Sequence, residues 1–295
     1  MDTDPARSGE LMLSSGDALI CAEAFGAAGD PAVLLIGGAA SSMDYWEDGL
    51  CTRLAAAGRY VVRYDLRDTG RSTAYPAGAP AYTRRDLVAD AVAVLDGLGV
   101  RAAHLVGISM GADLAQRVAL GHPGRVLSLT LHSSTPNGTG GPDRPELPPM
   151  EPRLKAVFAD EGPGPDWTDR AAAIEAMVEG ERVFAGSVFD TERSRATSAR
   201  VFDRTTDMAA TQTNHWILEE DDAPDPDPAG VAVPVLVLHG TEDPMFPLPH
   251  GRALAGEFGG ARLVPLPGVG HQYPPEPVWD LVVAEIAAHT ARTEV

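Results

Sequence analysis

Positive charge and cysteine are both scarce in this sequence. Its 295 residues carry 23 Lys and Arg against 42 Asp and Glu, so the formal net charge is −19, and Lys155 is the one lysine. A surface of that sign repels nucleic acid and anionic membranes, so we expect neither as a partner. The two cysteines, Cys21 and Cys51, lack the spacing of a metal site or a redox pair, which predicts two reduced, partly buried thiols and no metal.

Long apolar runs are also absent from the sequence. No stretch approaches the length that crosses a bilayer. The first ten residues, MDTDPARSGE, are polar and acidic and lack the apolar core of a signal peptide. We therefore expect a cytoplasmic protein. Phosphate loops, dinucleotide fingerprints and clustered metal ligands are missing as well, so no cofactor is predicted.

Short apolar runs that end in Gly or Pro alternate with helical patterns over most of the chain. The runs are PAVLLIGG (31–38), RYVVRYD (59–65), AAHLVGIS (102–109), RVLSLTLHSS (125–134), VPVLVLHG (233–240) and ARLVPLPG (261–268). Helical patterns occupy 84–99, 112–123 and 277–292. Such alternation predicts an α/β fold with a mostly parallel central sheet and helices on both faces.

One region interrupts this alternation. Residues 136–229 begin with a Pro/Gly-rich linker and end with an acidic, Pro-rich one, and helical stretches lie between them. We interpret them as a helical cap (lid) insertion in a core domain made of residues 1–135 and 230–295. The alternative is a pair of long surface loops with ordinary connecting helices.

The sharpest local signal is Gly107-Ile108-Ser109-Met110-Gly111. It follows an apolar strand pattern and precedes a helical one, which is the context of a nucleophile elbow. The tight turn needs small neighbours and presents the serine hydroxyl above the sheet. We therefore predict Ser109 as a nucleophile rather than as part of a glycine-rich turn.

A serine hydroxyl needs a base, and the base needs an orienting acid. His271 follows a strand and a turn near the carboxyl end of the chain, and Asp243 follows the strand VPVLVLHG. The order Ser109, Asp243, His271 is typical of this kind of fold. Glu242 is the rival acid. The other histidines are expected in strands (His104, His132), at a helix end (His122), in the acid's loop (His239), at exposed helix positions (His250, His289) and in the cap (His215).

An oxyanion needs hydrogen-bond donors beside the nucleophile. We expect one to be the backbone N–H of Met110, directly after Ser109, and the other to be that of Gly38, in the loop after PAVLLI. The alternative for Gly37 and Gly38 is a tight turn with no chemical role.

With these positions assigned, the chain resembles the α/β-hydrolase superfamily from about residue 16 to 292, and within it the aclacinomycin methylesterase-like serine esterases. The resemblance rests on RYDLRDTGRST (63–73), VADAVAVLDGLGV (88–100), GISMGA (107–112), HGTEDPMFPLPHGRALA (239–255) and PGVGH (267–271). It implies triad roles for Ser109, Asp243 and His271, and oxyanion roles for Gly38 and Met110. The family commonly has His-Gly at the oxyanion loop, where this chain has Ile36-Gly37-Gly38, so we expect backbone donation to remain and any role of the histidine to be lost. Arg67 and Asp68 are expected to brace a neighbouring loop.

These features predict hydrolysis of a small-molecule carboxylic ester through an acyl-enzyme. The resemblance points to a methyl ester of an aromatic polyketide-like or similar hydrophobic compound, since such enzymes remove the methyl from the carbomethoxy group of anthracyclines. Cap and core aromatic residues are candidate substrate contacts. They are Trp46, Phe158, Trp167, Phe184, Phe189 and Trp216.

Three other functions stay open at this point. An aminopeptidase of the proline-iminopeptidase kind would use cap carboxylates, for which 219–222 (EEDD) are candidates, although a solvated linker is the simpler interpretation. A cofactor-free perhydrolase shares the triad. A hydrolase-fold receptor would bind a ligand without turnover. The sequence leaves monomer and homo-oligomer equally open.

Overall fold

An eight-stranded sheet organises the computed structural model, which describes residues 7–136, 146–159, 164–219 and 227–291. The strand order is β1-β2-β4-β3-β5-β6-β7-β8. The six strands β3 to β8 run parallel to one another, whereas β2 is antiparallel to both of its neighbours, β1 and β4. The strands are β1 (Leu11–Ser15), β2 (Ala18–Phe25), β3 (Ala32–Ile36), β4 (Tyr60–Tyr64), β5 (Ala103–Ile108), β6 (Val126–His132), β7 (Val235–Gly240) and β8 (Arg262–Leu266).

The six predicted strands are all present, and the sheet holds two more, β1 and β2. The apolar run of strand β2 covers residues 18–22 and is then interrupted by Glu23. That side chain is buried and paired with Arg63 of β4 at 2.6 Å. Strand β1 is largely exposed at the sheet edge and therefore carries little apolar signal.

Helices cover both faces of the sheet. On one face, α2 (Arg84–Gly97), α3 (Met110–Gly121) and α8 (Pro249–Glu257) contribute apolar side chains to the larger core cluster. On the other face, α1 (Asp48–Ala56) and α9 (Trp279–Thr290) pack against the second cluster. Both cysteines are free and fully buried rather than partly buried. His289, expected to be exposed, is buried, and its Nε2 bonds Leu129 O at 3.0 Å.

In the described residues between β6 and β7 lie four α-helices, and we call them the intervening helices. They are α4 (Pro152–Phe158), α5 (Arg170–Phe184), α6 (Thr191–Arg204) and α7 (Met208–Thr213). Residues of α5, α6 and α7 share a small apolar cluster of their own, which includes Ile174, Val178 and Val201. Helix α7 begins separately from α6 because the Asp207 side chain caps its first turn by accepting from Ala210 N.

Within the described part of the chain, no helix combines the length and apolar character needed to span a bilayer.

Candidate active site

Ser109 occupies a strained turn between β5 and α3. Its φ is +53°, in the left-handed region that costs non-glycine residues energy. The flanking glycines are required by space: a Cβ on Gly107 would lie 2.1 Å from Gly111 O, and one on Gly111 would lie 2.4 Å from Ile36 O. The turn therefore projects the Ser109 side chain from the carboxyl edge of the sheet, at the start of a helix.

His271 joins Ser109 to Asp243. Its Nε2 lies 3.1 Å from Ser109 Oγ, and its Nδ1 lies 3.0 Å from Asp243 Oδ2. Its backbone N–H donates to Phe184 O at 2.8 Å, which ties the histidine loop to α5. The three predicted residues are thus brought together in one hydrogen-bonded chain.

The Asp243 carboxyl is buried, and both of its oxygens are hydrogen-bonded. Its Oδ1 accepts bonds from the backbone N–H groups of Met245 and Phe246, at 2.9 and 2.8 Å. Burial acts to raise the pKa of this carboxyl, but His271 and the donated hydrogen bonds outweigh it, so the pKa of Asp243 is lowered. Glu242 points elsewhere and accepts from Ser187 N and Oγ. The geometry therefore puts Asp243, not Glu242, against the imidazole.

The loop expected to supply an oxyanion donor lies beside Ser109, since a Cβ on Gly38 would be 3.7 Å from Ser109 Cβ. Its geometry differs from the expectation in one respect. The Gly38 N–H donates to the hydroxyl of Tyr273, at 2.8 Å. Met110 begins α3 immediately after Ser109, as the motif predicts. No sequence pattern had drawn attention to Tyr273, although it lies two residues after His271.

A cavity of about 270 Å³ opens over Ser109 and His271. Three of the six candidate aromatic residues line it, namely Phe184, Phe189 and Trp216, and so do Tyr45 and Tyr273, which the sequence did not indicate.

The other three candidates lie outside the lining of this cavity. Trp46 is 1% exposed and packs in the second core cluster, with its ring edge-on to Tyr273. Trp167 packs on the apolar cluster of the intervening helices. Phe158 is 47% exposed and touches the outer sides of Phe184 and Trp216. Their aromatic character serves packing rather than the cavity wall.

Comparison with known proteins agrees with this architecture. A family described as alpha/beta hydrolase fold matches residues 31–273, which is most of the chain. The chain belongs to the α/β-hydrolase fold family. The predicted fold class is confirmed.

Two relatives cover nearly the full length of this α/β hydrolase. Rhodomycin D methylesterase DauP of Streptomyces sp. (strain C5) is 33% identical over 298 residues, which are 96% of this chain and 99% of the relative. Rhodomycin D methylesterase DnrP of Streptomyces peucetius is 33% identical over 300 residues, with the same coverage. The predicted resemblance to methylesterases of this type is confirmed.

Solved structures show the same fold. The esterase RhEst1 from Rhodococcus sp. ECU1013 superposes with a TM-score of 0.72 at 21% identity, covering 99% of this chain and all of that one. At this identity the likeness concerns the fold alone.

The cavity of this α/β hydrolase also has a polar side, formed by Glu181 of α5. The Ser198 hydroxyl donates to its carboxyl group at 3.3 Å. Burial, the dominant effect, raises the pKa of Glu181 to about 7 despite this bond. None of the ion pairs found among the described residues includes this carboxyl.

The Arg67–Asp68 segment has structural contacts. Arg67 pairs with buried Asp90 at 2.8 Å. Asp68, with φ of +66°, accepts bonds from Tyr82 Oη and Asn214 Nδ2, at 2.7 and 2.9 Å. These bonds tie the segment to α2 on one side and to the residues after α7 on the other.

No cluster of three or more His, Cys, Asp or Glu side chains suited to hold a metal ion occurs in the described ranges.

Proposed function

We propose that this protein is a serine esterase that hydrolyses the methyl ester of a hydrophobic, aromatic small molecule through an acyl-enzyme. The observation that carries the proposal is the hydrogen-bonded chain Ser109–His271–Asp243 at the floor of an aromatic-walled cavity. The full-length likeness to two methylesterases makes the chain a carboxylic ester hydrolase. It also supports an aromatic methyl ester as the substrate.

The reaction follows from the geometry of the three residues. Ser109 Oγ attacks the ester carbonyl carbon while its proton passes to His271 Nε2, and the carbonyl electron pair moves onto oxygen. Asp243 keeps Nδ1 protonated and stabilises the imidazolium. The tetrahedral intermediate then collapses, its C–O bond to the methoxy group breaks, and the imidazolium protonates the departing methoxide oxygen, which leaves as methanol. A water molecule deprotonated by His271 releases the acid and restores Ser109.

We also propose that residues 136–229 act as a cap over a core formed by residues 1–135 and 230–295. Met177, Phe184 and Trp216, from the intervening helices and the turn after them, line the cavity opposite Ser109. A ligand at the serine is thereby held between the two parts of the chain. This enclosure favours a small molecule over a polymer.

The first test is the intact mass after treatment with a fluorophosphonate, measured for the wild type and for Ser109→Ala. We expect one adduct on the wild type and none on the variant. Ser128→Ala is the matched control, because Ser128 Oγ also hydrogen-bonds a histidine, His104 Nδ1, at 2.8 Å, but both residues are buried within the sheet. This control should keep the adduct. A folded wild type without an adduct would contradict the proposal.

Methanol release from aromatic methyl esters then tests the substrate class. We expect turnover by the wild type and at least a 10³-fold loss in Ser109→Ala, roughly the scale seen when a triad member is removed. Faster cleavage of amino-acid anilides would instead favour the aminopeptidase function. Of the carboxylates suggested for that function, Glu219 is described and residues 220–222 lie outside the described residues.

A further inference from the structure

Two side chains hold the loop after β3, one on each side of Ala39. Gly38 N–H donates to Tyr273 Oη at 2.8 Å, and Ala40 N–H donates to His215 Nδ1 at 2.9 Å. Ala39 lines the cavity over the nucleophile, and its N–H has no partner among the described hydrogen bonds. The N–H of Ala39 is therefore the one in this loop that is left to meet a substrate oxygen.

The backbone of this loop is strained at Ala40. Its φ is +56°, in the left-handed region, and such a conformation persists in a non-glycine residue only where neighbouring contacts hold it. The peptide between Ala39 and Ala40 is held at both ends. The Ser41 hydroxyl donates to Ala39 O at 3.2 Å, and His215 accepts from Ala40 N–H. If the second bond is lost, this peptide is free to rotate, which changes the direction of Ala39 N–H.

The imidazole of His215 is a fixed acceptor. Because a backbone N–H can only donate, Nδ1 carries no proton, and Nε2–H donates to Arg67 O at 2.9 Å. The side chain is buried, and its ring is perpendicular to that of Tyr82. Burial lowers the pKa of His215 to about 4, so the ring is neutral at neutral pH and keeps its accepting nitrogen.

His215 belongs to the segment between β6 and β7 rather than to the sheet and its covering helices. Trp216, the next residue, lines the cavity. Asn214, the preceding residue, donates from Nδ2 to Asp68 Oδ2 at 2.9 Å, which anchors the turn after α7. The acceptor that fixes the loop after β3 is therefore supplied by the same segment that encloses a ligand.

We propose that His215 is a positioning residue for the oxyanion hole. By holding Ala40 N–H, it directs Ala39 N–H at the substrate oxygen, beside the N–H of Met110. This inference rests on the proposed ester hydrolysis by Ser109. The oxyanion hole is complete only while the segment after α7 lies on the loop after β3. The carbonyl oxygen accepts from the two N–H groups as it gains negative charge, and His215 neither gains nor loses a proton.

The test compares His215→Ala with His215→Asn. The amide oxygen of Asn lies two bonds from Cβ, as Nδ1 does, so this variant still accepts from Ala40 N–H, whereas His215→Ala does not. With p-nitrophenyl acetate, we expect His215→Ala to lower kcat at least about 10-fold, within the 10²–10³-fold cost of losing one oxyanion donor, and to change KM less than about threefold. His215→Asn should keep kcat within about threefold of the wild type.

A boronic acid, which forms a tetrahedral adduct with Ser109, separates positioning from folding. Only folded enzyme binds it, and the dissociation constant does not scale with the amount of enzyme. We expect this constant to rise at least about 10-fold in His215→Ala and to stay near the wild-type value in His215→Asn. Thr211→Val is the matched control, because Thr211 Oγ bonds Asp68 O in the same contact between the two regions but away from the loop. If the control binds the boronic acid as weakly as His215→Ala, general loosening explains both and the inference fails.

His215→Gln replaces His215→Ala if the latter is poorly folded. The Gln side chain is one bond longer than Asn, so its amide nitrogen takes the place of Nε2 and keeps the bond to Arg67 O but not the one from Ala40. It should bind the boronic acid at least about 10-fold more weakly than His215→Asn. Equal affinities in these two variants, or an unchanged constant in His215→Ala, would overturn the inference and leave the proposed function intact. A wild type that gives neither turnover nor a fluorophosphonate adduct would defeat the proposed function itself.

Discussion

The sheet with its covering helices and the intervening helices are held by different kinds of contact. Inside the first region, two large apolar clusters cover the two faces of the sheet. Where the intervening helices meet that region, buried ionic and polar contacts are present. Arg204, at the end of α6, reaches Asp44 and buried Asp65. His215, after α7, accepts from Ala40 N and bonds Arg67 O, both at 2.9 Å.

This difference explains how one chain can combine a rigid triad with an enclosed cavity. Apolar packing is non-directional and strong in sum, so it stabilises the strand ends that carry Ser109, Asp243 and His271. Buried polar bonds are directional, and each one broken leaves a group without a partner. They therefore hold the intervening helices in one position over the serine. We call the second set of contacts the polar seam, defined by Arg204, His215 and their partners.

The largest expected effect lies wholly within the first region. Asp243→Asn should lower kcat about 10⁴-fold, because an amide cannot hold the imidazole in the required tautomer or stabilise its protonated form. The free energy of unfolding should change little by comparison. Steady-state kinetics with an activated ester and urea unfolding measure the two effects.

Glu242→Gln is the matched control for Asp243→Asn. Its carboxyl bonds Ser187, in the segment between α5 and α6, rather than His271. Activity should stay within about threefold of the wild type. If both variants lose activity equally, the proposal that Asp243 alone orients His271 and that Glu242 only joins the two regions is wrong.

The polar seam is tested most strongly by Arg204→Met. The change leaves Asp65, whose side chain is fully buried, without its cation. We expect the free energy of unfolding to fall by about 3–5 kcal/mol, the usual cost of removing one partner of a buried pair. Urea titration with a far-UV signal measures it.

Arg170→Met provides the comparison on the same set of helices. Its pair with Asp203 is exposed on both sides, so solvent screens it and the expected loss is far smaller than for Arg204→Met. If Arg204→Met costs no more than Arg170→Met, apolar contacts hold the intervening helices, and the contrast drawn between the two regions is wrong.

The two regions also differ in how far the sequence predicts them. The residues of the triad each follow a strand, and strand ends of a parallel sheet meet at one edge, so local patterns sufficed to bring Ser109, Asp243 and His271 together. Strand β2 was not predicted, and the burial of its Glu23 through an ion pair with Arg63 is a feature that only tertiary structure reveals.

The cavity wall was harder to predict from the sequence. An aromatic side chain in a short helix faces the cavity or the packing cluster according to how the helix is rotated on its neighbours, which no local pattern records. Phe184 of α5 lines the cavity, whereas Phe158 of α4 does not. The bond from Gly38 to Tyr273 spans 235 residues of sequence and depends on the packing of two loops.

A smaller effect is expected from pH at the polar seam. Burial lowers the pKa of His215 from 6.5 to about 4. Between these values the unfolded chain binds a proton that the folded chain does not, so stability is lost as pH falls from 6.5 towards 4. His215→Gln should reduce this loss by about 2 kcal/mol at pH 5. Urea unfolding at pH 7 and pH 5 measures the difference.

His122→Gln is the control for His215→Gln. His122 is exposed at the end of α3 and bonds no residue of the intervening helices through any described contact. Its replacement should leave the slope of stability against pH unchanged. If His215→Gln also leaves the slope of stability against pH unchanged, the loss of stability in acid comes from other buried histidines and not from the polar seam.

The smallest effect concerns Glu181, where the intervening helices meet the cavity. Its folded pKa is raised to about 7 from 4.5, mainly by burial, so its contribution to stability is present below pH 4.5 and lost as pH rises through 7. Glu181→Gln should therefore match the wild type near pH 5. At pH 8 it should be more stable than the wild type, because the amide avoids the cost of ionising a buried carboxyl. Urea unfolding at the two pH values decides it.

Glu175→Gln, on the same helix, should behave in the opposite way. Its carboxyl is exposed, and the hydrogen bond from Arg195 lowers its pKa, so removing the charge gives no gain at pH 8. If the two variants respond alike, the carboxyl of Glu181 is as well solvated as a surface group. The cavity would then be open to water on the side of the intervening helices, and the polar seam would not hold those helices closed over Ser109.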